Sequence, residues 1–442
     1  MGRRRHKAGK AGHCTRLATA SPVRRVCAAL ALVSLATPAL ASELTELQGP
    51  YVGDGPIAFR AGLDYHWRSK EVALLREFDC LSHEVVSGSS LCAAGSRIGL
   101  AKDLRATRLS SELDVDLRLA FYRAFEVRMR LPIVLSEETR IDYDDGIDGR
   151  NSITAPYNSP ALLQVPYTNT RSGVGDPVVG LWGAILSSAR DRDDPNLVVG
   201  FELGFPLAAV RTPGNTAVGG GAWAMTFAVA GSDRAFRWLE PFFRLAATLH
   251  VPASDALYPD LGATQATRGP PERVAARFGV EFIPFERPAE GSAVRIELGA
   301  ELGLVTSGKS ATELFDALGT SSCSPDGEAP CDLTTHSVGT RSPGTSIAEE
   351  HFTGAAWLGA HYDVLETLRL SARVNVGWES PHFLTSSNLG VDSDGRGVED
   401  DNSLGQNEHD PDYNPHLDAP GTRFRTAEAL LVGVDFSVVG RF

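Results

Sequence analysis

Three histidines, His66, His250 and His361, fall within alternating apolar segments on different parts of the chain. Each could act as a general base if a serine or cysteine stood beside it. One class of phospholipase carries its histidine and serine in a His-x-Ser-Asn-Gly run, and Ser386-Ser387-Asn388 lacks the histidine at that spacing. A catalytic triad needs three groups in mutual hydrogen-bond reach. With no nucleophile identifiable, the histidines read as polar lining and no enzyme is expected. Acidic stretches could hold a hard cation through oxygen ligands. Asp392, Asp394, Glu399 and Asp401 are weak calcium candidates, because an EF-type loop would place Arg396 fifth and Ser403 twelfth. No metal is assigned and no cofactor is expected. Cys80/Cys92 and Cys323/Cys331 are two close pairs, the spacing of two local disulfides in an exported chain. Zinc would need a third ligand at matching spacing.

The remaining charges are sorted by strand periodicity. Residues two apart in a strand share a face. Phe125, Val127, Met129, Leu131 and Ile133 point one way, and Glu126, Arg128 and Arg130 the other. Leu109, Leu113, Val115, Leu117 and Leu119 oppose Glu112, Asp114, Asp116 and Arg118. Val294, Ile296, Leu298, Ala300 and Leu302 oppose Arg295, Glu297 and Glu301. Apolar faces outward and charged faces inward invert a soluble protein, and suit a barrel in lipid. The expected lumen lining, and path of a solute, comprises Arg60, Asp64, His66, Glu112, Asp114, Asp116, Arg118, Glu126, Arg128 and Arg130. It continues with Arg244, Arg277, Glu281, Arg295, Glu297, Glu301, Arg369, Arg373 and Asp435, joined by Arg68, Glu202, Glu240 and Arg273. The two signs nearly cancel. Such charges brace a filled interior or face each other across a narrow wet pore.

These side chains need an even set of strands to hold them. Period-two segments bounded by turn residues lie near 57–68, 105–120, 124–138, 173–188, 196–210, 219–231, 237–250, 272–285, 293–306, 351–363, 367–380 and 424–442. Each reaches the roughly 9–11 residues that cross a bilayer at a tilt. Long connections (77–97, 142–172, 252–271, 307–350 and 381–421, with a shorter one at 211–218) alternate with short turns. That alternation is a property of outer-membrane barrels. The fold class expected is all-β: a closed up-and-down antiparallel transmembrane β-barrel of about twelve strands. Aromatics gather at the strand ends, as an interfacial belt requires. Phe121, Tyr122, Phe125, Phe236, Trp238, Phe285, Tyr362 and Phe442 mark one rim; Tyr65, Trp67, Trp223 and Trp378 mark the other.

Residues 1–41 read as a cleaved signal peptide: a basic leader, the apolar run VCAALALVSLATPALA, and a small-x-small site before Ser42. Residues 42–56 read as a short periplasmic segment, too short for a plug domain, and 57–442 as a single barrel. Without the leader 34 basic residues face 55 acidic ones, which argues against nucleic acid. The stretch Leu431–Phe442 (LVGVDFSVVGRF) alternates to its last residue. It resembles the closing strand of Gram-negative outer-membrane barrels, in which a terminal aromatic such as Phe442 signals to the assembly machinery. Gly173-Val174-Gly175-Asp176, followed by PVVGLWGAI, resembles the motif opening a strand in the transporter barrels named for the meta-pathway of phenol degradation. Trp182 stands where that family usually has a charged residue. The resemblance implies Asp176 in the lumen and small-solute transport without a defined substrate.

The expectation is therefore a monomeric outer-membrane barrel, passing small solutes passively through a narrow charge-balanced lumen. Its partners would be outer-membrane lipid and lipopolysaccharide, the assembly machinery and a small-molecule solute. The competing expectation is a non-conducting structural or surface-interaction barrel with acidic outer loops. A lipid-modifying barrel enzyme is the third.

Overall fold

The structure, a computed structural model, describes residues 57–80, 97–121, 125–154, 163, 165–186, 195–260, 265, 267–287, 290–320, 344–365, 367–390, 408, 410 and 412–442. The leader, Tyr122, Cys92, Cys323, Cys331 and the calcium candidates Asp392, Asp394, Glu399 and Asp401 lie outside these residues.

Twelve strands follow one another around a closed wall. They are β1 (Ile57–Asp79), β2 (Ile98–Phe121), β3 (Phe125–Tyr143), β5 (Val178–Leu186), β6 (Asn196–Gly204), β7 (Ala222–Ser232), β8 (Leu239–Pro252), β9 (Arg273–Arg287), β10 (Ser292–Val305), β13 (His351–Leu365), β14 (Leu368–Glu379) and β16 (Phe424–Arg441). Every neighbour pair is antiparallel, and β1 pairs with β16 from Arg60↔Arg441 to Arg76↔Phe424, which shuts the sheet. The chain is a closed antiparallel β-barrel. Short segments accompany the wall: β4 (Tyr167–Val174), β11 (Gly308–Ser310), β12 (Ser346–Ala348), β15 (Phe383–Thr385) and one-turn helices at Phe315–Gly319 and Pro415–Asp418. Connections alternate in length, so one end carries the long loops and the other the short turns.

Side-chain alternation follows the sequence reading. Leu298, Leu302, Leu358 and Phe436 are each more than half exposed, whereas the intervening Glu297, Glu301 and Gly299 are buried. At the short-turn end Phe236 stacks on Trp238 (5.6 Å) and Trp238 on Phe282 (6.2 Å); Phe121 meets Phe125 and Phe59 meets Phe442. Trp67, Trp223 and Trp378 are exposed nearer the other rim.

The structure departs from the sequence reading in three places. The segment expected as one strand at 173–188 is two. β4 pairs only with the far half of β3, the chain turns at Gly175-Asp176-Pro177, and β5 resumes lower down the same strand. The glycine motif therefore closes β4. A Cβ on Gly175 would press on Pro132, where the backbones pass closely. Asp176, expected in the lumen, instead accepts the backbone N–H groups of Ala208 (2.9 Å) and Gly220 (2.8 Å), pinning the connection from β6 to β7. The strand expected at 196–210 accordingly ends at Gly204.

β1 also runs eleven residues past its expected end, to Asp79, and β2 begins seven residues before its expected start, at Ile98. Above bulges near Glu71 and Ser111 the inward face turns apolar: Val72, Leu74, Leu104, Ala106 and Ile141 are buried. Leu314, Ala317, Leu318, Ala348, Leu384, Leu417 and Phe424 pack on them, bringing loop segments inward at the long-loop end. This small core has the burial pattern of a soluble protein, the reverse of the charged inward faces lower in the wall.

The face assignment has a direct consequence. Leu298→Arg should cost about 2–4 kcal/mol if residue 298 meets acyl chains near mid-bilayer, and should deplete the heat-modifiable folded band. An arginine at an inward position, Asn375→Arg on β14 beside Asp435 (3.1 Å), should keep its cation among lumenal carboxylates. Equal loss from both would show the faces to be misassigned.

Candidate functional site

The inward faces carry charge in like-signed rows. Arg441, Arg60, Arg118 and Arg128 are direct register partners across β16, β1, β2 and β3. Glu240, Glu281 and Glu297 form a second row across β8, β9 and β10. Asp64 faces Asp114, and Arg244 faces Arg277. Directly opposed like charges destabilise a sheet, so each row must be answered by another. Arg118 Nε binds Asp116 (3.0 Å) and Arg128 Nε binds Glu126 (2.5 Å), each two residues along its own strand. Arg295 reaches Glu281 (3.3 Å) and Asp363 (3.6 Å), and Arg369 binds Asp363 (2.7 Å). Arg273 binds Glu301 (2.6 Å), which Arg277 also holds. Arg373 binds Glu297 (2.8 Å) across the intervening β13. These pairs lie along the wall and stiffen it.

Burial divides the interior. Arg60, Glu126, Glu240, Glu281, Arg295, Asp363 and Arg369 are almost fully buried toward the short turns. The side chains of Arg130, Arg273 and Arg277 are 50%, 49% and 40% exposed at mid-barrel. Ion pairs with a carboxylate buried to this degree brace the lower wall, and water reaches the middle. His66 sits between two carboxylates, donating from Nδ1 to Asp435 (2.7 Å) with Asp114 3.7 Å from Nε2. Glu112 lies beside Asp114 and Arg68.

Two tryptophans invisible to charge patterning organise this zone. Trp182 stands opposite Gly200, and Trp357 opposite Gly299. A Cβ on either glycine would collide with the facing indole ring. Each ring therefore lies flat on a bare stretch of backbone. Trp182 Nε1 donates to Glu202 (3.1 Å), and Trp357 Nε1 to Glu297 (2.5 Å). Arg128 and Arg244 cover Trp182 at 4.3 and 5.5 Å, and Arg373 covers Trp357 at 5.7 Å. Each such cation–π contact is worth about 0.5–2 kcal/mol. β5 and β13 are six strands apart in the wall, so the two pedestals face each other across the lumen. The tryptophan–glycine register is the signal that would reveal them, once strand pairing is known.

His361 has a serine in reach, contrary to the sequence reading. Ser371 Oγ lies 2.9 Å from Nδ1, and Nε2 donates to Glu297 (2.9 Å). Ser371 and His361 are register partners inside the β13–β14 ladder. Backbone N–H groups there are engaged by the ladder, which leaves no preorganised pair to hold an oxyanion. His250 Nδ1 donates to the Pro271 carbonyl (2.8 Å), a loop anchor. Among the described residues no cluster of three or more His, Cys, Asp or Glu could hold a metal.

Above the wet zone the inward loops are latched by buried pairs. Asp316 on the helix Phe315–Gly319 accepts from Arg171 Nη2 (2.5 Å), Asn169 Nδ2 (3.1 Å) and the Gly214 N–H (3.0 Å). Lys70 bridges Glu313 (2.6 Å) and Glu379 (2.8 Å), and Lys309 pairs with Asp412. Burial alone would raise the Glu313 carboxyl, but adjacent Lys70 outweighs it and holds the group at about 2. A narrow void of about 20 Å³ remains between Lys70, Arg108, Arg211 and Glu313. Asp418 accepts the N–H groups of Ser386, Ser387 (3.2 Å) and Asn414 (2.7 Å). Burial nonetheless pushes its carboxyl up to about 7, and the nearby Asp410 adds to the rise.

No family model and no curated protein matches the chain. Solved structures similar to it include an outer membrane channel from Pseudomonas putida F1 (11% identity, 90% of this chain and 100% of that one, TM-score 0.39). An anion-selective porin from Comamonas acidovorans is 9% identical over 86% of this chain and 100% of its own, with TM-score 0.24. A FadL homologue from Pseudomonas aeruginosa is 8% identical over 88% and 90%, with TM-score 0.31. At these scores the fold rests on the strand pairing itself. The meta-pathway motif remains a resemblance.

Two variants probe the site. Gly200→Val should displace Trp182, cost roughly 1–3 kcal/mol through overpacking, and alter the near-ultraviolet circular dichroism of the folded barrel; an unchanged spectrum would place the ring elsewhere. Asp418 binds a proton in the folded loop between its usual 3.8 and about 7 that it would not bind unfolded. Loop stability should therefore fall as pH rises through that window. Hydrogen-exchange protection at Ser386 and Ser387 should drop about tenfold or more from pH 5 to pH 8, because each whole step of pH inside the window weakens the loop by roughly tenfold. Asp418→Asn should flatten the difference. A flat wild-type response would contradict this reading.

Proposed function

We propose that this protein is an outer-membrane β-barrel that conducts small solutes passively through a narrow, charged lumen. One observation carries the proposal: a closed sheet with exposed leucine, phenylalanine and tryptophan outside and ionised rows inside. In hydrocarbon every backbone amide needs a partner within the protein, and a sheet meets that demand only by closing. The half-exposed arginines at mid-barrel support a hydrated path. In this reading the long loops face outward, the short turns face the periplasm, and the basic leader is an export signal. The lipid-facing belt would meet acyl chains, the acidic loops would meet lipopolysaccharide, and β16 would be the strand read by the assembly machinery. The protein acts as a monomer and catalyses no reaction.

The inward-folded apolar cluster favours a second reading, in which the long-loop mouth stays shut and the loops serve a surface role. Conductance separates the two. The purified barrel should give discrete current steps in a planar bilayer, and a silent bilayer would favour the shut form. Arg171→Ala removes the latch on Asp316, and breaking a buried pair costs about 3–5 kcal/mol. It should enlarge the single-channel step while the protein remains heat-modifiable. An unchanged step would mean that this loop does not limit the path.

A further inference from the structure

Arg244 and Arg277 stand directly opposite each other on β8 and β9. Elsewhere in the lumen such like-charge pairs are answered by wall carboxylates. Glu301 answers Arg277. Arg244 has no such answer: its Nε is buried without a hydrogen-bond partner, and among the described residues its guanidinium makes no ion pair, only the contact over Trp182. The charged groups around it are Glu202, Arg277, Arg128 and Arg130. Glu202 is engaged by the Trp182 indole and Arg128 by Glu126. Arg130 has its carboxylate, Asp114, only at 3.9 Å and is half exposed. Four guanidiniums therefore converge where the neighbouring carboxylates are largely engaged.

The wall beneath them is built of small residues: Gly200, Ala228 and Ala246 are consecutive register partners on β6, β7 and β8, and the Trp182 indole packs on them as the platform under Arg244. β8 and β9 are also six strands from β1 and β2, which bear Asp64, Glu112, Asp114 and Asp116. Four residues along from the lower rows, the Arg244–Arg277 pair thus stands across from the Asp64–Asp114 pair, whereas in the lower rows the signs are reversed, with arginines on β1–β3 and glutamates on β8–β10.

We propose that the Arg130–Arg244–Arg277 wall is a binding step for the carboxylate of a small organic acid. A guanidinium fork matches a carboxylate in a bidentate geometry, and the incoming charge would relieve the Arg244–Arg277 repulsion. The substrate class rests on the channel reading, but binding to the wall can be measured apart from conduction. Folded protein in detergent is titrated calorimetrically with potassium benzoate, and the same salt is used for bilayer recordings. Benzoate should bind, Arg244→Gln should weaken it about tenfold, the loss expected for one charge-assisted hydrogen bond, and Arg244→Lys should fall between. Heat-modifiability confirms that each variant is folded. Absence of binding by the wild type, or equal affinity in all three proteins, overturns the site. Current steps without benzoate binding would overturn the site and keep the channel. Benzoate binding lost in Arg244→Gln under a silent bilayer would keep the site and overturn the channel.

Discussion

Closure of β1 onto β16 is the constraint from which the rest follows. A strand edge exposed to acyl chains would leave a row of amides unpaired, each at a cost of several kcal/mol. Once the ring is shut, every residue has only two directions, outward or inward, and the register decides which. A slip of one residue between β16 and β1 would turn Val434 and Phe436 inward and Asp435 into lipid. The register is held in part by His66, whose hydrogen bond to Asp435 links the first and last strands.

Inside, the same register creates a second demand. It aligns arginine with arginine and glutamate with glutamate on neighbouring strands, which no row can tolerate alone. The chain resolves this by offsetting opposite rows by two residues, and by laying tryptophan over glycine as a support for the guanidiniums above. The lower wall is braced in this way by almost fully buried pairs such as Arg369–Asp363. In the middle, Arg130, Arg273 and Arg277 reach water. At the long-loop end the inward faces turn apolar, so that loop helices can dock on Val72, Leu74 and Ile141. Wall stiffness, wet interior and latched mouth are thus three uses of one alternating pattern.

The strand count, the faces and the wall charges are legible in the sequence because period-two alternation is a local property. What the sequence hides is pairing. Trp182 reads as an oddity in a glycine motif until β6 sets Gly200 opposite it. Ser371 lies ten residues from His361, across a hairpin, and only the register brings them together. Asp176 reads as lumenal because the break between β4 and β5 depends on the path of a distant loop. The extensions of β1 and β2 escape detection because their apolar inward faces imitate loop or core composition, and the partners that cover them lie up to several hundred residues away. The cancelling sum of lumenal charges conceals their sorting into like-signed rows, which strand pairing alone reveals.

Single nitroxide labels at consecutive positions 273–278 of β9, in barrels reconstituted into bilayers, test the central claim most directly. Accessibility to oxygen, which partitions into lipid, should peak at 274, 276 and 278, and accessibility to a water-soluble nickel chelate should peak at 273, 275 and 277. Opposite phases of period two are the result expected of an oily exterior around a wet, charged interior. Water access at every position, or the reverse phase, would contradict it.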